Sequence, residues 1–335
     1  MVNALYKSDL NQDYNFKWLA TQDDRGSIRN LLTFVLAWLA APWMMLSADL
    51  VHIHTASYTS FFRKSFFMLW CIILRKKYIA HIHGGGFPEF MRKSHGIKKR
   101  YRVWLLKHAS AIITLAEIFE KTVQSYLPSS GKRKYFILPN PGRFDLQKPH
   151  IFTPQVNIFY CGWLEKEKGI FDLLQAFARS RQPDWRLIMV GKGKHEELKK
   201  QAAGLGIANA VELRQWQNAD ELSELYGSST LLVLPSYIEA MPMVLLEAMA
   251  FGLPIIASSV GAIPDMLPES QQDCLLTPGD VEKLSKLLAD LAGNNIRLQQ
   301  ISSELQQRFA GKFSAAEVFK QQKMIYETLL SGSSN

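Results

Sequence analysis

The 335 residues of the chain, 47% of them hydrophobic and 21% charged, have the composition of a globular protein, which excludes an intrinsically disordered, collagen-like or coiled-coil chain. At roughly 100–200 residues per domain, this length predicts two domains. The net charge of +9 combines +13 in residues 1–150 with −4 in residues 151–335, and this asymmetry favours an anionic partner for the first half, either a nucleic acid or an anionic membrane surface.

The N-terminal segment and the cysteines indicate the cellular compartment of the protein. Residues 1–21 have no apolar stretch after a basic start, so no signal peptide is predicted. The apolar stretch Leu31–Leu46 has 16 residues, includes Pro42 and is shorter than the roughly 20 residues that span a bilayer, so no transmembrane helix is expected. Three scattered cysteines form neither a disulfide framework nor a metal motif and predict a reducing compartment: Cys71, Cys161 and Cys274.

The first half alternates predicted strands and helices in the manner of a parallel sheet. The predicted strands are Asp49–His54, Lys77–His83, Ala111–Leu115 and Tyr135–Leu138, and the predicted helices are Tyr58–Leu74, Lys98–His108 and Ile118–Leu127. The proline-containing stretch Asn140–Gln155 lacks periodicity and predicts a connection between domains. We place the domain boundary between residues 150 and 151.

The second half repeats the same alternation. Its predicted strands are Val156–Cys161, Trp185–Val190, Ala210–Leu213, Thr230–Pro235 and Pro254–Ser258, and its predicted helices are Gly169–Ala178, His195–Leu205, Ala219–Tyr226 and Met243–Phe251, with further helices through Leu330. This pattern predicts two doubly wound α/β domains that face a central cleft, with ligands beyond the carboxyl ends of the strands.

The most specific motif follows the strand that ends at Pro235. A loop carries Glu239, and Pro242 stands where the next helix begins, a position that suits proline. The free N–H groups and the dipole of that helix predict an anion site. Glu247 lies more than a turn further along and is expected to face the cleft without core contacts. Glu239 and Glu247 form an E-x7-E motif, and the passage from Pro235 to Ser259 resembles the family-4 retaining glycosyltransferases of the GT-B fold.

The resemblance implies roles for residues of the second half. Lys168, in the segment Phe159–Ile170, matches a lysine that neutralises the donor diphosphate together with the helix N-terminus, whereas Trp163 and Gln215 depart from the family's arginine and glycine. The resemblance implies that Glu239 and Lys168 are catalytic. Glu239 is implied to contact the donor sugar, and Glu247 to accept hydrogen bonds from the ribose. The other implied donor-binding residues are Gly162, Gly191, Gly193, Ala240, Met241, Pro242, Met243 and Val244.

The first half resembles, more narrowly, the enzymes of this family that build bacterial surface polysaccharides. The residues that carry this likeness are Ser60–Ser65, His81–Phe87 and Leu138–Pro141. It implies a catalytic role for His83 and acceptor contacts for Arg63, Lys64, Gly84 and Gly85. One departure is that Met1–Ser8 resembles the interior of the family's first helix, with Phe16–Thr21 as the second strand. The family's first strand and glycine loop are therefore expected to be missing.

The sequence thus predicts an α/β protein of the GT-B class, with an acceptor-binding domain in residues 1–150 and a nucleotide-sugar-binding domain in residues 151–335 whose last helix returns to the first. The resemblance implies a retaining, metal-independent hexosyltransferase that needs no cofactor beyond its nucleoside diphosphate sugar. The expected acceptor is a polyprenyl-diphosphate-linked saccharide for O-antigen, capsule or exopolysaccharide. The expected location is the cytoplasmic face of the inner membrane, on its anionic surface, with no nucleic acid bound.

Three alternatives remain open at this stage. The basic and aromatic segments Phe61–Lys77 and Arg92–Lys107 suit an interfacial helix, a nucleic-acid-binding surface or simply a solvated basic face. The departures from the family pattern are also compatible with a catalytically inactive, membrane-associated binding subunit. Four histidines at two strand ends are either structural or metal ligands, besides the acceptor role of one of them: His52, His54, His81 and His83.

Overall fold

The computed structural model describes residues 10–22, 27–127 and 134–331. The chain divides into two compact units, the first comprising residues 1–139 and 318–335 and the second residues 140–317. The boundary therefore lies about ten residues earlier than the sequence indicated, because residues 140–150 bond to the second unit. The backbone N–H of Gln147 donates to the Ala250 carbonyl at 3.0 Å, and Phe144 packs against Tyr226 and Phe251.

The first unit contains a four-stranded parallel sheet in which the strands follow one another in chain order. Its strands are β1 (Val51–Thr55), β2 (Tyr78–Ile82), β3 (Ala111–Thr114) and β4 (Lys134–Ile137). Its helices are α1 (Leu10–Asp13), α2 (Ser27–Leu46), α3 (Tyr58–Ile73), α4 (Phe87–Arg92), α5 (Gly96–His108) and α6 (Glu117–Tyr126), and the final helix α14 (Ala315–Leu330) belongs to this unit from Val318 onwards. The sequence did not predict α4, which is a single short turn-like helix.

Helices cover both faces of this sheet. Residues of α2, α3 and α5 pack with Ile53, Ala80 and Ile82 on one face, and α14 packs with Ile79 and Ile113 on the other. Residues 16–21 contain no strand, so the predicted strand Phe16–Thr21 is wrong. The Phe16 ring instead packs against Trp18 and Tyr326. These side-chain contacts, rather than hydrogen bonds to a neighbouring strand, hold the segment in place. The expectation about Met1–Ser8 falls outside the described residues.

Helix α2 is longer than the apolar stretch that the sequence marked. It contains 20 residues, because it begins at Ser27 and continues through Pro42. Its segment Ile28–Leu46 is long and apolar enough to cross a membrane, by length and composition alone. The expectation that this stretch is too short was therefore wrong. Ala37, Ala41 and Met45 pack into the core, whereas an opposite stripe of large apolar side chains is exposed: Ile28, Leu31, Leu32, Leu36, Leu39, Trp43 and Leu46.

The second unit contains a six-stranded parallel sheet in the order β10-β9-β8-β5-β6-β7. Its strands are β5 (Asn157–Cys161), β6 (Arg186–Val190), β7 (Val211–Arg214), β8 (Leu231–Leu234), β9 (Ile255–Ser258) and β10 (Leu275–Leu276). Its helices are α7 (Ile170–Ser180), α8 (His195–Gly204), α9 (Ala219–Ser228), α10 (Met243–Phe251), α11 (Ile263–Met266), α12 (Val281–Ala292) and α13 (Asn295–Arg308). The central strands are continuous apolar runs, since parallel sheets are covered on both faces.

Candidate functional site

The strand order of the second sheet reverses between β5 and β8. From β5 the chain proceeds to β6 and β7 on one side, and from β8 to β9 and β10 on the other. The loops that leave neighbouring strands on either side of such a reversal diverge, and they leave a crevice at the carboxyl ends of the strands where ligands bind. The predicted donor residues Lys168 and Glu239 lie on these two loops.

Close backbone contact fixes the two loops against each other. Gly169 has a φ of +69°, and a Cβ at this position would overlap the carbonyl oxygen of Pro235. The backbone N–H of Tyr237 donates to the Glu167 carbonyl at 2.9 Å. Glycine is therefore required at position 169 both for its left-handed conformation and for the approach of the second loop.

Lys168 and Glu239 form an ion pair at this crevice. Nζ of Lys168 lies 2.6 Å from Oε1 of Glu239, although the residues are 71 positions apart. The side chains remain 26% and 12% exposed, so an incoming ligand can reach both. The sequence motif predicted each residue separately, and the structure brings them together.

Helix α10 begins at the same loop. Pro242 is its N-cap, Met241 and Pro242 are buried, Met243 is exposed and Val244 is half-buried. The first N–H groups of a helix have no partner within the helix, and its N-terminus carries a partial positive charge. The carbonyl of Ala240 accepts the Ala262 N–H at 2.8 Å, which ties the loop before α10 to the segment after β9.

Glu247, in the second turn of α10, is buried and only 4% exposed. Its Oε2 accepts a hydrogen bond from the hydroxyl of Tyr226 at 2.7 Å, and Nη1 of Arg143 lies 3.7 Å from its Oε1. Burial raises the pKa of Glu247, although the Tyr226 hydrogen bond and the Arg143 charge oppose this shift. The expectation that Glu247 makes no core contacts was therefore wrong, because Tyr226 is itself fully buried in α9.

The predicted glycines of the second unit serve loop packing. A Cβ at the buried Gly191 would overlap the carbonyl oxygen of Gly162, and one at Gly193 would overlap that of Leu164. Leu164 and Gly193 also form an isolated parallel bridge. These positions hold the loop after β5 against the loop after β6. Trp163, which follows Gly162 in the first of these loops, is exposed.

Arg143 and Tyr226 contact Glu247 but are not marked by any motif in the sequence. Arg143 lies in the stretch interpreted as a linker, where no periodic pattern marks a functional residue. Its guanidinium lies over the Phe144 ring at 5.2 Å from the centroid. Tyr226 occupies an apolar position of a helix, so its hydroxyl gave no signal. Neither contact could be inferred without the position of Glu247.

The predicted acceptor residues all belong to the first unit. Arg63 donates to Oε1 of Gln22 at 2.6 Å, and Nζ of Lys64 donates to Oγ1 of Thr21. Burial and the neighbouring Arg63 charge lower the pKa of Lys64 to about 8. His83 and Gly84 follow β2, with Gly85 in the next turn, and a Cβ at Gly84 would lie 2.8 Å from Oγ of Ser57.

Comparisons with known proteins agree with this architecture. Residues 143–308 match the family model "Glycosyl transferases group 1". This segment lies within the second unit and covers just under half of the chain. The chain is 36% identical to the sulfoquinovosyl transferase SQD2 of Arabidopsis thaliana over 141 residues, 40% of this chain and 26% of the relative. It is 33% identical to the MMP alpha-(1->4)-mannosyltransferase of Mycolicibacterium hassiacum over 170 residues, 49% of this chain and 41% of the relative.

The fold is shared with solved glycosyltransferases. The structure of Anabaena Alr3699/HepE in complex with UDP superimposes with a TM-score of 0.73 at 19% identity, covering 88% of this chain and 82% of that one. The α/β GT-B fold predicted from the sequence is thus confirmed. The chain spans less than half the length of the two curated relatives named above.

Proposed function

We propose that this chain is a family-4 retaining glycosyltransferase that transfers a sugar from a nucleoside diphosphate sugar to a lipid-linked saccharide in bacterial surface-polysaccharide synthesis. The observation that carries the donor assignment is the Lys168–Glu239 pair, which lies at the strand-order reversal of the second sheet. The group 1 match and the UDP and UDP-glucose complexes of the Anabaena neighbour support a UDP-sugar as the first donor to test.

In this proposal the ion pair opens when donor binds. The Lys168 ammonium turns from Glu239 to the diphosphate, and the α10 N-terminus contributes N–H groups to the same charge. Glu239 is then free to accept hydrogen bonds from the sugar hydroxyls, while Glu247 accepts those of the ribose beside the Arg143 guanidinium. The positive charges act most strongly as the leaving group develops its negative charge, which stabilises the transition state.

The transfer step exchanges one bond for another. The bond from the anomeric carbon to the diphosphate oxygen breaks, a bond to the acceptor hydroxyl oxygen forms on the same face, and the hydroxyl proton leaves with the diphosphate. We propose that no metal ion is needed for this step, since Lys168 and the helix N-terminus supply the positive charge. Affinity for UDP and turnover should therefore persist in EDTA.

The acceptor proposal depends on helix α2. Its exposed apolar stripe covers about five turns, and Trp43 is 78% exposed. Its other face already packs against protein, as expected for a helix that lies in a membrane interface rather than one surrounded by lipid. We therefore propose that the first unit associates peripherally with the cytoplasmic face of the anionic inner membrane. The exposed face of α2 would lie at the headgroup boundary, where a polyprenyl-diphosphate acceptor is presented.

The donor proposal is tested with UDP and candidate UDP-sugars on the full chain. UDP should bind saturably, and the correct donor should release UDP when acceptor is supplied. Lys168→Ala should lower kcat more than it raises KM, because its charge matters most in the transition state. Lys166→Ala, an exposed neighbour on the same turn, is the matched control and should behave as wild type.

Three results separate the alternatives. Binding of UDP without release from any donor would favour an inactive binding subunit. An equal loss of affinity for UDP and for uncharged uridine in Lys168→Ala would show that Lys168 is structural. The donor site would be misplaced if wild-type protein does not bind any nucleoside diphosphate.

A further inference from the structure

Four histidine side chains meet on one face of the first sheet. His52 and His54 alternate on β1, His81 lies on β2 and His83 directly follows it, so each pair shares a face. His54 stands opposite His81 in the parallel register. The ring centroids are 4.3 Å apart for His52 and His54 and 4.0 Å apart for His81 and His83.

The nitrogen atoms of these rings approach one another as closely as metal ligands do. Nε2 of His52 lies 3.0 Å from Nδ1 of His81, and Nδ1 of His54 lies 2.8 Å from Nε2 of His83. One ring nitrogen from each of His52, His54 and His81 falls within 4.8 Å of the others. Two nitrogens bound to tetrahedral Zn²⁺ at 2.0–2.1 Å lie about 3.3 Å apart, so small ring rotations suffice to create a three-nitrogen site.

Imidazole nitrogens are among the ligands that Zn²⁺ most often takes in proteins. A set of three histidines leaves one tetrahedral position open.

The two nitrogens of the His81 ring face different surroundings. Nδ1 lies 3.0 Å from Nε2 of His52 and faces the other histidines of the cluster. Nε2 is buried on the opposite side of the ring, near the Leu138 backbone. A cation among the histidines would therefore bind Nδ1 of His81 and leave the ring proton on Nε2.

A further layer of polar groups orients the first ring. The Tyr326 hydroxyl lies 2.6 Å from Nδ1 of His52, and the Gln322 side-chain amide donates to that hydroxyl. Such outer partners fix the tautomer and direction of a ligating imidazole. His83 does the same for His54 through its own hydrogen bond.

We propose that His52, His54 and His81 form a transition-metal site, with Zn²⁺ as its first candidate, held in place by Tyr326 and His83. The site belongs to the first unit and the donor residues to the second, so Zn²⁺ binding is measured separately from UDP binding. Imidazole nitrogens without a carboxylate among them favour Zn²⁺, Cu²⁺ or Ni²⁺ over Mg²⁺ or Ca²⁺.

The experiment is a titration of the chelator-treated full chain with Zn²⁺ by calorimetry and with Co²⁺ by visible absorption. We expect one equivalent of Zn²⁺ and the intense d–d bands of a tetrahedral Co²⁺ site. His54→Gln should weaken Zn²⁺ binding at least tenfold, and Tyr326→Phe should weaken it by about 10–100-fold. His95→Gln, which removes an exposed histidine outside the cluster, is the matched control and should bind as wild type.

Several outcomes would overturn the site. One is the absence of saturable Zn²⁺ and Co²⁺ binding, which would leave the cluster as a network of neutral, hydrogen-bonded rings. Another is equal affinity in wild type and His54→Gln, or an equal loss in His95→Gln, since either would reveal adventitious binding elsewhere. If His54→Gln does not fold, the Co²⁺ spectrum of wild type and the Tyr326→Phe titration decide the matter. UDP affinity measured in parallel should be unchanged by Zn²⁺, so failure of one proposal does not imply failure of the other.

Discussion

The buried carboxylate of Glu247 lowers the stability of the fold and also has a proposed role in donor binding. Burial raises its pKa, so the ionised carboxylate destabilises the folded state at neutral pH. Relative to Glu247→Gln, the wild-type free energy of unfolding should therefore fall as pH rises from 4.5 through the raised pKa, because native Glu247 binds more protons there than it does in the unfolded chain. Glu247→Gln removes this titration and keeps an oxygen that accepts from Tyr226.

We expect Glu247→Gln to be at least as stable as wild type at neutral pH, with an advantage that shrinks as pH falls from the raised pKa of Glu247 towards 4.5 and is gone below 4.5. UDP should nevertheless bind roughly 10- to 150-fold more weakly, since a hydrogen bond to a charged group contributes about 1.5–3 kcal/mol. Denaturant unfolding across pH and calorimetry with UDP provide the two measurements. Glu247→Ala serves as the contrast, because it also leaves the Tyr226 hydroxyl unpaired and should lose about 1–3 kcal/mol of stability. Unchanged UDP affinity in a folded Gln variant would contradict the ribose role.

At the scale of single residues, the sequence could predict the carboxylates and the lysine but not their partners. Glu239, Glu247 and Lys168 stand in motifs whose spacing is local. The pairing of Lys168 with Glu239 depends on which strands become neighbours, and the burial of Glu247 depends on Tyr226 from another helix. Such contacts are properties of the packed sheet, which local spacing does not encode.

At the scale of loops and strands, the meeting of the loops after β5 and β8 can be tested through glycine. Gly169 and Gly206 both have a φ of +69°, but a Cβ at Gly206 would meet nothing within 4 Å. Gly206→Ala should therefore lower the free energy of unfolding by about 1–2 kcal/mol, the cost of holding alanine in the left-handed conformation. Gly169→Ala should lower the free energy of unfolding by about 1–3 kcal/mol more than Gly206→Ala does, because the loop must move away from Pro235. Unfolding midpoints compare the two, and equal losses would show that the loops are not held together as described.

Strands were easier to predict than the longest apolar helix. Continuous apolar runs such as Leu231–Leu234 and Ile255–Ser258 are buried on both faces, so their composition alone locates them to within one or two residues. Helix α2 was misjudged because Arg29 and Asn30 broke the apolar run and Pro42 suggested an interruption. One proline removes a single helical hydrogen bond, and packing of the apolar face outweighs that loss.

The exposed apolar side chains of α2 lead to a prediction about membrane binding. Leu36→Glu together with Trp43→Glu should leave the fold intact, since these side chains are 66% and 78% exposed. The double variant should lose about 3 kcal/mol or more of vesicle affinity, because each large apolar side chain contributes about 1.5–3 kcal/mol when buried. Ile296→Glu, at an 84% exposed position of the second unit, is the matched control. Co-sedimentation with phosphatidylglycerol vesicles measures the effect, and unchanged binding by the double variant would remove α2 from the interface.

At the scale of the whole molecule, charge is divided between the halves of the chain, +13 in residues 1–150 and −4 in residues 151–335. The structure shows which residues of the basic half are exposed and can contact a membrane. Phe61 and Phe67 are buried in the core rather than presented to lipid. Nζ of Lys76 donates to the carbonyls of Leu46 and Ala48, at the end of α2, and Lys77 donates to Leu329, so both lysines also hold the fold. Exposed cations are left to act on a membrane: Arg75, Lys98 and Arg100.

Reversal of Arg75, Lys98 and Arg100 to Glu should therefore weaken binding to anionic vesicles while the fold persists. Each cation near an anionic leaflet contributes about 1 kcal/mol, so the triple variant should lose roughly 100-fold or more in affinity. Binding of wild type should weaken as salt rises and should be poor on phosphatidylcholine, since exposed charges are screened beyond about 10 Å at 0.1 M salt. Lys200→Glu in the second unit is the control for a general change in charge. Indifference to lipid charge would refute the membrane surface, and tighter binding to RNA than to anionic vesicles at equal ionic strength would assign the basic half to nucleic acid instead.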